Sequence, residues 1–338
     1  MAELAADVLT LVDYAKRLDP ETNSVTQTIA EMLNETNAIL TDMMWKQGNL
    51  QTGHRLTMRT GLPDVTWRKL NQGTPTSKST TAQVDEACGT LSAIGQVDIE
   101  LAELNGNTAA FRASENKAFI EAMNQEMAQT LFYGDHTTAP EEFLGLAPRY
   151  DTISGATNGQ NVISGAGAGS DNTSVWLVCW GPNSVHGIFP KGSMAGIKHD
   201  PGNGPDWAFD GDNNRFKAYI DDYKWKCGLA LPDWRYVVRI CNIDVSNLVA
   251  ESSAADLIKL MSRAMDRIPS FMGVTPVFYC NRTVFSMLKI QALGKSYTAL
   301  SVRESLTQFG SGKARELAFL DIPVRLCDEI LSTEATIS

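Results

Sequence analysis

The sequence predicts an α+β fold, and three features carry that prediction. A helical stretch of about 24 residues, 109–133, runs without Gly or Pro and repeats its apolar residues at spacings of four. Several runs that alternate apolar and polar residues, or are apolar throughout, read as strands. The segments before the long helix have little core of their own, whereas those after it mix helix and strand patterns.

The elements follow in chain order. Val8, Leu11, Val12, Ala15 and Leu18 recur at spacings of three and four, which predicts a helix that Pro20 stops. A second helix is expected from Ser24, its N-cap, to about Lys46, carrying Ile29, Leu33, Ile39, Leu40 and Met43 and ending near Gly48. From Leu50 to about Thr90 the pattern becomes extended. HRLTMRTGLPDVTWRKL alternates around a Gly-Leu-Pro break, and NQGTPTSKSTTAQ is too polar for a core and too long for an ordinary turn. Together they predict a long projecting hairpin or loop. LSAIGQVDIELAEL then alternates Leu91, Ala93, Gly95, Val97, Ile99 and Leu101 against Ser92, Gln96, Asp98 and Glu100, a half-buried strand.

The long helix places Phe111, Phe119, Met123, Met127 and Leu131 on one stripe, a packing surface about 36 Å long at 1.5 Å per residue. Gly134 and Asp135 end it, and the Gly/Ser/Asn-rich stretch 152–174 reads as a loop. Beyond it, VWLVCW (175–180) is a buried strand, and YKWKCGLAL (223–231) and WRYVVRICNID (234–244) are further strands. A capped helix at 252–268 carries Leu257, Leu260, Met261 and Met265 on one face. A strand at 274–281, a helix at 282–293 ended by Gly294, and two short closing strands bent at Ile322-Pro323 complete the chain.

Composition narrows the function. Of 338 residues, 43% are hydrophobic and 20% charged, enough apolar material for one large domain or two ordinary ones. Lys and Arg total 29 against 39 Asp and Glu, a net charge of −10. Such a chain is poorly suited to gripping nucleic acid through its phosphates or docking on anionic lipid. No apolar run reaches the length of a membrane span, and the acidic N-terminus lacks the pattern of a secretory signal, so a soluble cytoplasmic product without membrane partners is expected. The six cysteines, Cys88, Cys179, Cys227, Cys241, Cys280 and Cys327, form no C-x-x-C pair and read as reduced structural thiols.

No motif nominates a catalytic, cofactor-binding or metal-binding residue. GSGKA (310–314) fails as a phosphate loop, because Thr307 stands where Gly is required and Ala314 where Ser or Thr is required. DGDNNRFKAYID (210–221) spaces Asp210, Asp212 and Asn214 as calcium ligands, but Arg215 occupies the glycine position and Asp221 the position of the bidentate Glu, so it reads as a polar turn. His54, His136, His186 and His199 share no ligand spacing and accompany no nucleophile elbow.

Several strings resemble the major capsid proteins of tailed double-stranded DNA bacteriophages, which share the Hong Kong 97-type fold. They are LFYGD (131–135) with PEEFLGLAPRY (140–150), the stretch 180–202, GLALPDWRYVVRICNID (228–244) and FLDIPVRLCDEILSTEA (319–335). The resemblance covers nearly the whole chain and implies four parts. Residues 1–48 would be an N-terminal arm and 49–98 an extended loop reaching over a neighbouring subunit. Residues 99–150 and 311–338 would form a peripheral domain with the spine helix 109–133, and 151–310 an axial domain. It implies no enzyme and no cofactor. The expected assembly is a homo-oligomer of pentameric and hexameric capsomers, closing into an icosahedral head around DNA without sequence-specific binding. Separate scaffolding, portal and decoration proteins are the other expected partners. The chain begins almost at the arm, so scaffolding is expected from another product. The expected location is the virion, assembled in the host bacterial cytoplasm.

Within the extended loop, Arg55, Arg59, Arg68, Lys69 and Lys78 make a basic segment in an acidic chain, suited to an acidic neighbour, with Trp67 as the aromatic anchor. Some family members crosslink a loop Lys to an Asn of a neighbour; Lys69 and Lys78 are the lysines here, and no Asn partner stands out. Two other readings stay open on the sequence: a soluble α/β hydrolase-type enzyme, and another virion subunit such as a tail tube or connector.

Overall fold

The computed structural model describes residues 35–338 except 104–107, 154, 156, 203, 210–213, 252–254, 294–299 and 307–312. The described chain opens with a single helical turn α1 (Ile39–Asp42), strand β1 (Trp45–Gln47) and the strand pair β2 (Gly53–Gly61) and β3 (Thr80–Ala87). Strand β4 (Gly89–Asp98), helix α2 (Ile99–Glu103) and the long helix α3 (Thr108–Tyr133) follow. Next come strands β5 (Val162–Ser164), β6 (Asn172–Trp180), β7 (His186–Phe189), β8 (Ile197–Asp200), β9 (Asp206–Phe209), β10 (Arg215–Ala230) and β11 (Val237–Asp244). Helices α4 (Val245–Val249) and α5 (Leu257–Met265), strand β12 (Thr275–Cys280), helix α6 (Arg282–Leu293) and strands β13 (Leu300–Leu306), β14 (Lys313–Phe319) and β15 (Ile322–Leu326) close the chain.

The chain divides into two compact units. The larger comprises Thr36–Gly89, Ala128–Ala195 and Cys227–Ser338. Its centre is a seven-stranded mixed sheet in the order β13-β14-β15-β12-β6-β11-β5. Strand β6 is buried at every residue because both its faces are covered, which explains a run with no polar alternation. Val175, Leu177 and Cys179 pack with Leu257, Leu260, Met261 and Ala264 of α5 and Val284 and Leu288 of α6. On the alternate positions, Trp176 meets Phe132, 5.9 Å between ring centroids, and Tyr150, 6.2 Å away. Asp256 caps α5 by accepting the Lys259 N–H, as a helix N-cap should.

The other unit contains Thr90–Met127 and Gly196–Lys226. Its core joins Val97, Leu101, Ala102 and Phe111, with Tyr219 packed against them. Strand β10 pairs there with β4, β8 and β9. Asp221, buried on β10, accepts from Arg112 at 2.9 Å and lies 2.8 Å from His199 Nε2.

The long helix and α6 match their expected spans, the strand expected at 175–180 lies within β6, and the helix expected over 252–268 is α5 at Leu257–Met265 only. The first predicted helix lies outside the described residues. The second does not reach Lys46. Helix ends at Asp42, Met43 is extended, and Trp45–Gln47 pairs in parallel with β7. Gly187 permits that pairing: a Cβ there would lie 2.8 Å from the Trp45 ring and 2.9 Å from the Met43 sulfur. The strand expected to continue past Asp98 turns into α2, because Asp98 accepts the Glu100 N–H at 2.8 Å and so starts a helix. Within the stretch expected as a loop, Val162–Ser164 is a strand and β6 begins at Asn172. The expected polar turn 210–221 is strand from Arg215 onward. The last two strands turn at Leu320 and Asp321, both with positive φ (43° and 71°), and not at Ile322-Pro323.

Candidate inter-subunit surface

Strands β2 and β3 form a separate two-stranded ribbon. Their register sets Gly53 against Ala87 and Arg59 against Thr81, with an irregularity between Arg59 and Gly61. Cross-strand chemistry marks the register at several levels. Arg55 grips Asp85 with two parallel hydrogen bonds of 2.6 and 2.7 Å, which holds the Asp85 carboxyl below its usual range. The pair is about half exposed, so it specifies register more than it stabilises. Higher up, the Thr60 and Thr80 hydroxyls bond at 3.1 Å, and the Ser77 hydroxyl accepts the Asp64 N–H at 2.7 Å.

The base of the ribbon is tied down more firmly. Glu86 is buried and receives both guanidinium branches of Arg149 at 2.7 Å. Arg149 also donates to the carbonyls of Leu144 and Gly145, which satisfies its fork. Asn49 accepts the Arg55 N–H and donates to the Arg55 carbonyl, while the His54 Nδ1 accepts the Asn49 N–H. The ring of His54 stands edge-on to that of His186, 6.0 Å away. Burial, then the Lys46 charge and His54, lower the His186 pKa to about 4, and burial and Lys46 lower that of His54. Both rings are therefore neutral near pH 7.

Beyond this base, every residue from 62 to 78 is exposed. That stretch includes Leu62 (80%), Val65 (92%), Trp67 (103%) and Leu70 (93%). A fully exposed indole beside three exposed aliphatic side chains is the kind of surface a monomer seldom presents without a partner. Arg59, Arg68, Lys69 and Lys78 surround these residues, with Asp64 the one acid in 59–78. Four of the six residues singled out from the sequence, Trp67, Arg68, Lys69 and Lys78, thus lie on one exposed loop, and Arg59 lies at its neck. Arg55 sits lower on the ribbon with its charge already met by Asp85. Leu62, Val65 and Leu70 were not singled out, although apolar residues next to a long polar run were the available signal. Glu86 and Arg149 gave none, being 63 positions apart.

The remaining chemistry is structural. Burial pushes the thiols of Cys88 and Cys241 up to about 11 and that of Cys179 up to about 12, so they stay protonated and unreactive near neutral pH. Among the described residues no three His, Cys, Asp or Glu side chains are grouped to hold a metal ion, and no helix is long and apolar enough to cross a membrane.

The chain is similar over its full length to a chain in the structure of bacteriophage Epsilon15. The two share 33% identity, the match covers 100% of this chain and 99% of that one, and the TM-score is 0.73. More distant likenesses are to a chain of the capsid of a native GTA particle and to one of Mycobacterium phage Bobi. The first has 9% identity over 66% of this chain and 95% of that chain, with a TM-score of 0.46. The second has 10% identity over 68% and 97%, with a TM-score of 0.43. No curated protein sequence matches. The mixed helix-and-strand architecture is that of a phage coat subunit of the Hong Kong 97-type fold. Residues 21–338 match the family described as major capsid protein GP7, and the chain belongs to that family. It is the major capsid protein of a phage and a component of the virion, and these findings do not favour either the hydrolase or the tail and connector reading.

Proposed function

We propose that many copies of this chain associate as pentamers and hexamers into a closed icosahedral head around double-stranded DNA, without catalysis or sequence-specific contact. The exposed loop 62–78 is the observation that carries this reading: its apolar side chains and four flanking cations have no burial within the protomer and suit an acidic neighbour. In this reading 1–48 is the N-terminal arm, 49–98 the extended loop, 99–150 with 311–338 the peripheral domain around the spine helix, and 151–310 the axial domain. Arg55, Arg59, Trp67, Arg68, Lys69 and Lys78 meet the neighbouring subunit, with Trp67 as anchor and Arg55 contributing mainly through the ribbon's register. Assembly takes place in the host bacterial cytoplasm, with scaffolding, portal and decoration functions supplied by other proteins. Size-exclusion chromatography and negative-stain microscopy of the purified full-length protein test it. Closed shells or five- and six-fold capsomers are expected, and a monomer that persists with its scaffolding partner present would overturn it.

A further inference from the structure

The hairpin of β9 and the start of β10 has two unlike faces. On one, Ala208 and Ala218 are buried and Phe216 is half-buried. On the other, Trp207 and Phe209 are 54% and 53% exposed. The register sets Lys217 opposite Trp207 and Arg215 opposite Phe209. Each cation stands over its partner's ring, at 5.5 Å from the centroid in both cases. Four side chains therefore form one exposed block of two aromatic–cation pairs, already ordered by contact with each other.

The same face of β10 continues along the strand and shows what completes such a block. Arg112 lies over the Tyr219 ring at 4.7 Å, and His199 stacks on Tyr223 at 4.6 Å. Between them the buried Asp221 carboxylate receives Arg112 and contacts His199. There a buried carboxylate lies between the ring pairs and meets the Arg112 guanidinium. At its exposed end the ladder again sets a cation over each ring, without a carboxylate described between them.

We infer that the Trp207–Phe209–Arg215–Lys217 face is a second contact surface, and that a carboxylate of another copy of this chain completes it as Asp221 does in the buried stretch. The proposal rests on the coat reading, which makes other copies the abundant partner. The chemistry of the chain agrees: 39 acidic against 29 basic residues make a second copy an acidic surface. Cation–π pairs also strengthen when water is removed from them, so covering the block is favourable. Its side chains are held before contact, which reduces the ordering cost of binding. Trp and Arg are the residue types that dominate such contacts.

The test uses particles assembled from the full chain alone, half of it uniformly 15N-labelled. Hydroxyl-radical footprinting should label Trp207 and Phe209 at least about five-fold more slowly in particles than in dissociated subunits, as expected of a desolvated interface centre. A zero-length carbodiimide should join the Lys217 amine to an Asp or Glu of a differently labelled copy, and Lys217→Arg should abolish that link while keeping the protection. Equal labelling in particles and subunits, or Lys217 links only within one copy, would overturn the inference while leaving the coat reading intact. Failure to form any particles, with the scaffolding partner also present, would reject the coat reading and this inference with it.

Discussion

A carboxylate as deeply buried as that of Glu334 persists in the fold because several donors meet it. The Tyr133 hydroxyl donates to one oxygen at 2.5 Å, while the Ser174 hydroxyl and Arg239, at 2.9 Å, donate to the other. Arg239 is equally buried; it donates further to the Tyr150 carbonyl at 3.0 Å and lies over the Trp176 ring. Burial, and then the neighbouring Glu334 charge, hold the Tyr133 phenol protonated far above its ordinary range. Replacing Glu334 by Ala leaves the guanidinium buried without its counter-charge, and we expect a loss of about 3–5 kcal/mol in chemical denaturation. Tyr133→Phe removes one hydrogen bond to the same carboxylate and should cost about 1–2 kcal/mol. Equal effects of the two substitutions would show that Glu334 acts only through Tyr133.

Two elements carry predictions of their own. At the ribbon base, His186 is neutral in the folded chain, with its pKa lowered from 6.5 to about 4 by burial, Lys46 and His54. The unfolded chain binds that proton first as pH falls, so the stabilisation is full above about pH 6.5 and is lost progressively towards about pH 4. His186→Phe should flatten this part of the pH–stability curve, read as thermal midpoints from pH 7 to 4; an unchanged slope would assign the acid sensitivity to the carboxylates. In the β14–β15 hairpin, Phe319 pairs with Ile322 across a two-residue turn whose residues both have positive φ. That turn is the type that favours Asn-Gly, and Leu320 is half exposed, so it gains little burial in return for its strained backbone. Leu320→Gly should raise stability by up to about 1 kcal/mol, visible as a higher melting temperature.

At the scale of the whole molecule, the protomer and the particle answer differently to the same change. Trp67 has no burial to lose within its own subunit, so Trp67→Ala should leave protomer unfolding within about 0.5 kcal/mol of wild type while sharply reducing shell yield. Comparable losses in both measurements would mean that the loop belongs to the protomer's own fold. Because four cations of that segment face an acidic partner in the proposed contact, raising ionic strength should slow assembly, and Arg68→Glu with Lys69→Glu should remove most of the salt dependence, followed by light scattering.

The sequence by itself determined what local periodicity encodes. The long helix was legible from a four-residue apolar repeat without Gly or Pro, and β6 from an unbroken apolar run that only a strand covered on both faces requires. The exposed loop was legible because NQGTPTSKSTTAQ (71–83) is almost free of apolar residues and has no face to bury, and the neighbouring cations stand out against a net charge of −10. Resemblance in whole strings supplied the family expectation that the 33% identical relative and the family match then bore out. Tertiary structure alone decided the rest. The polarity pattern of 91–101 suits a strand throughout, and the Asp98 carboxylate diverts it into helix at Ile99. Trp45–Gln47 is a strand because Gly187 lets β7 approach it, a fact written about 140 residues away. The pairs Glu86–Arg149 and Arg239–Glu334, and the ladder from Trp207 to Tyr223, join residues through burial and register. A one-dimensional pattern states which side chains are apolar or charged, and only the folded chain states which of them meet.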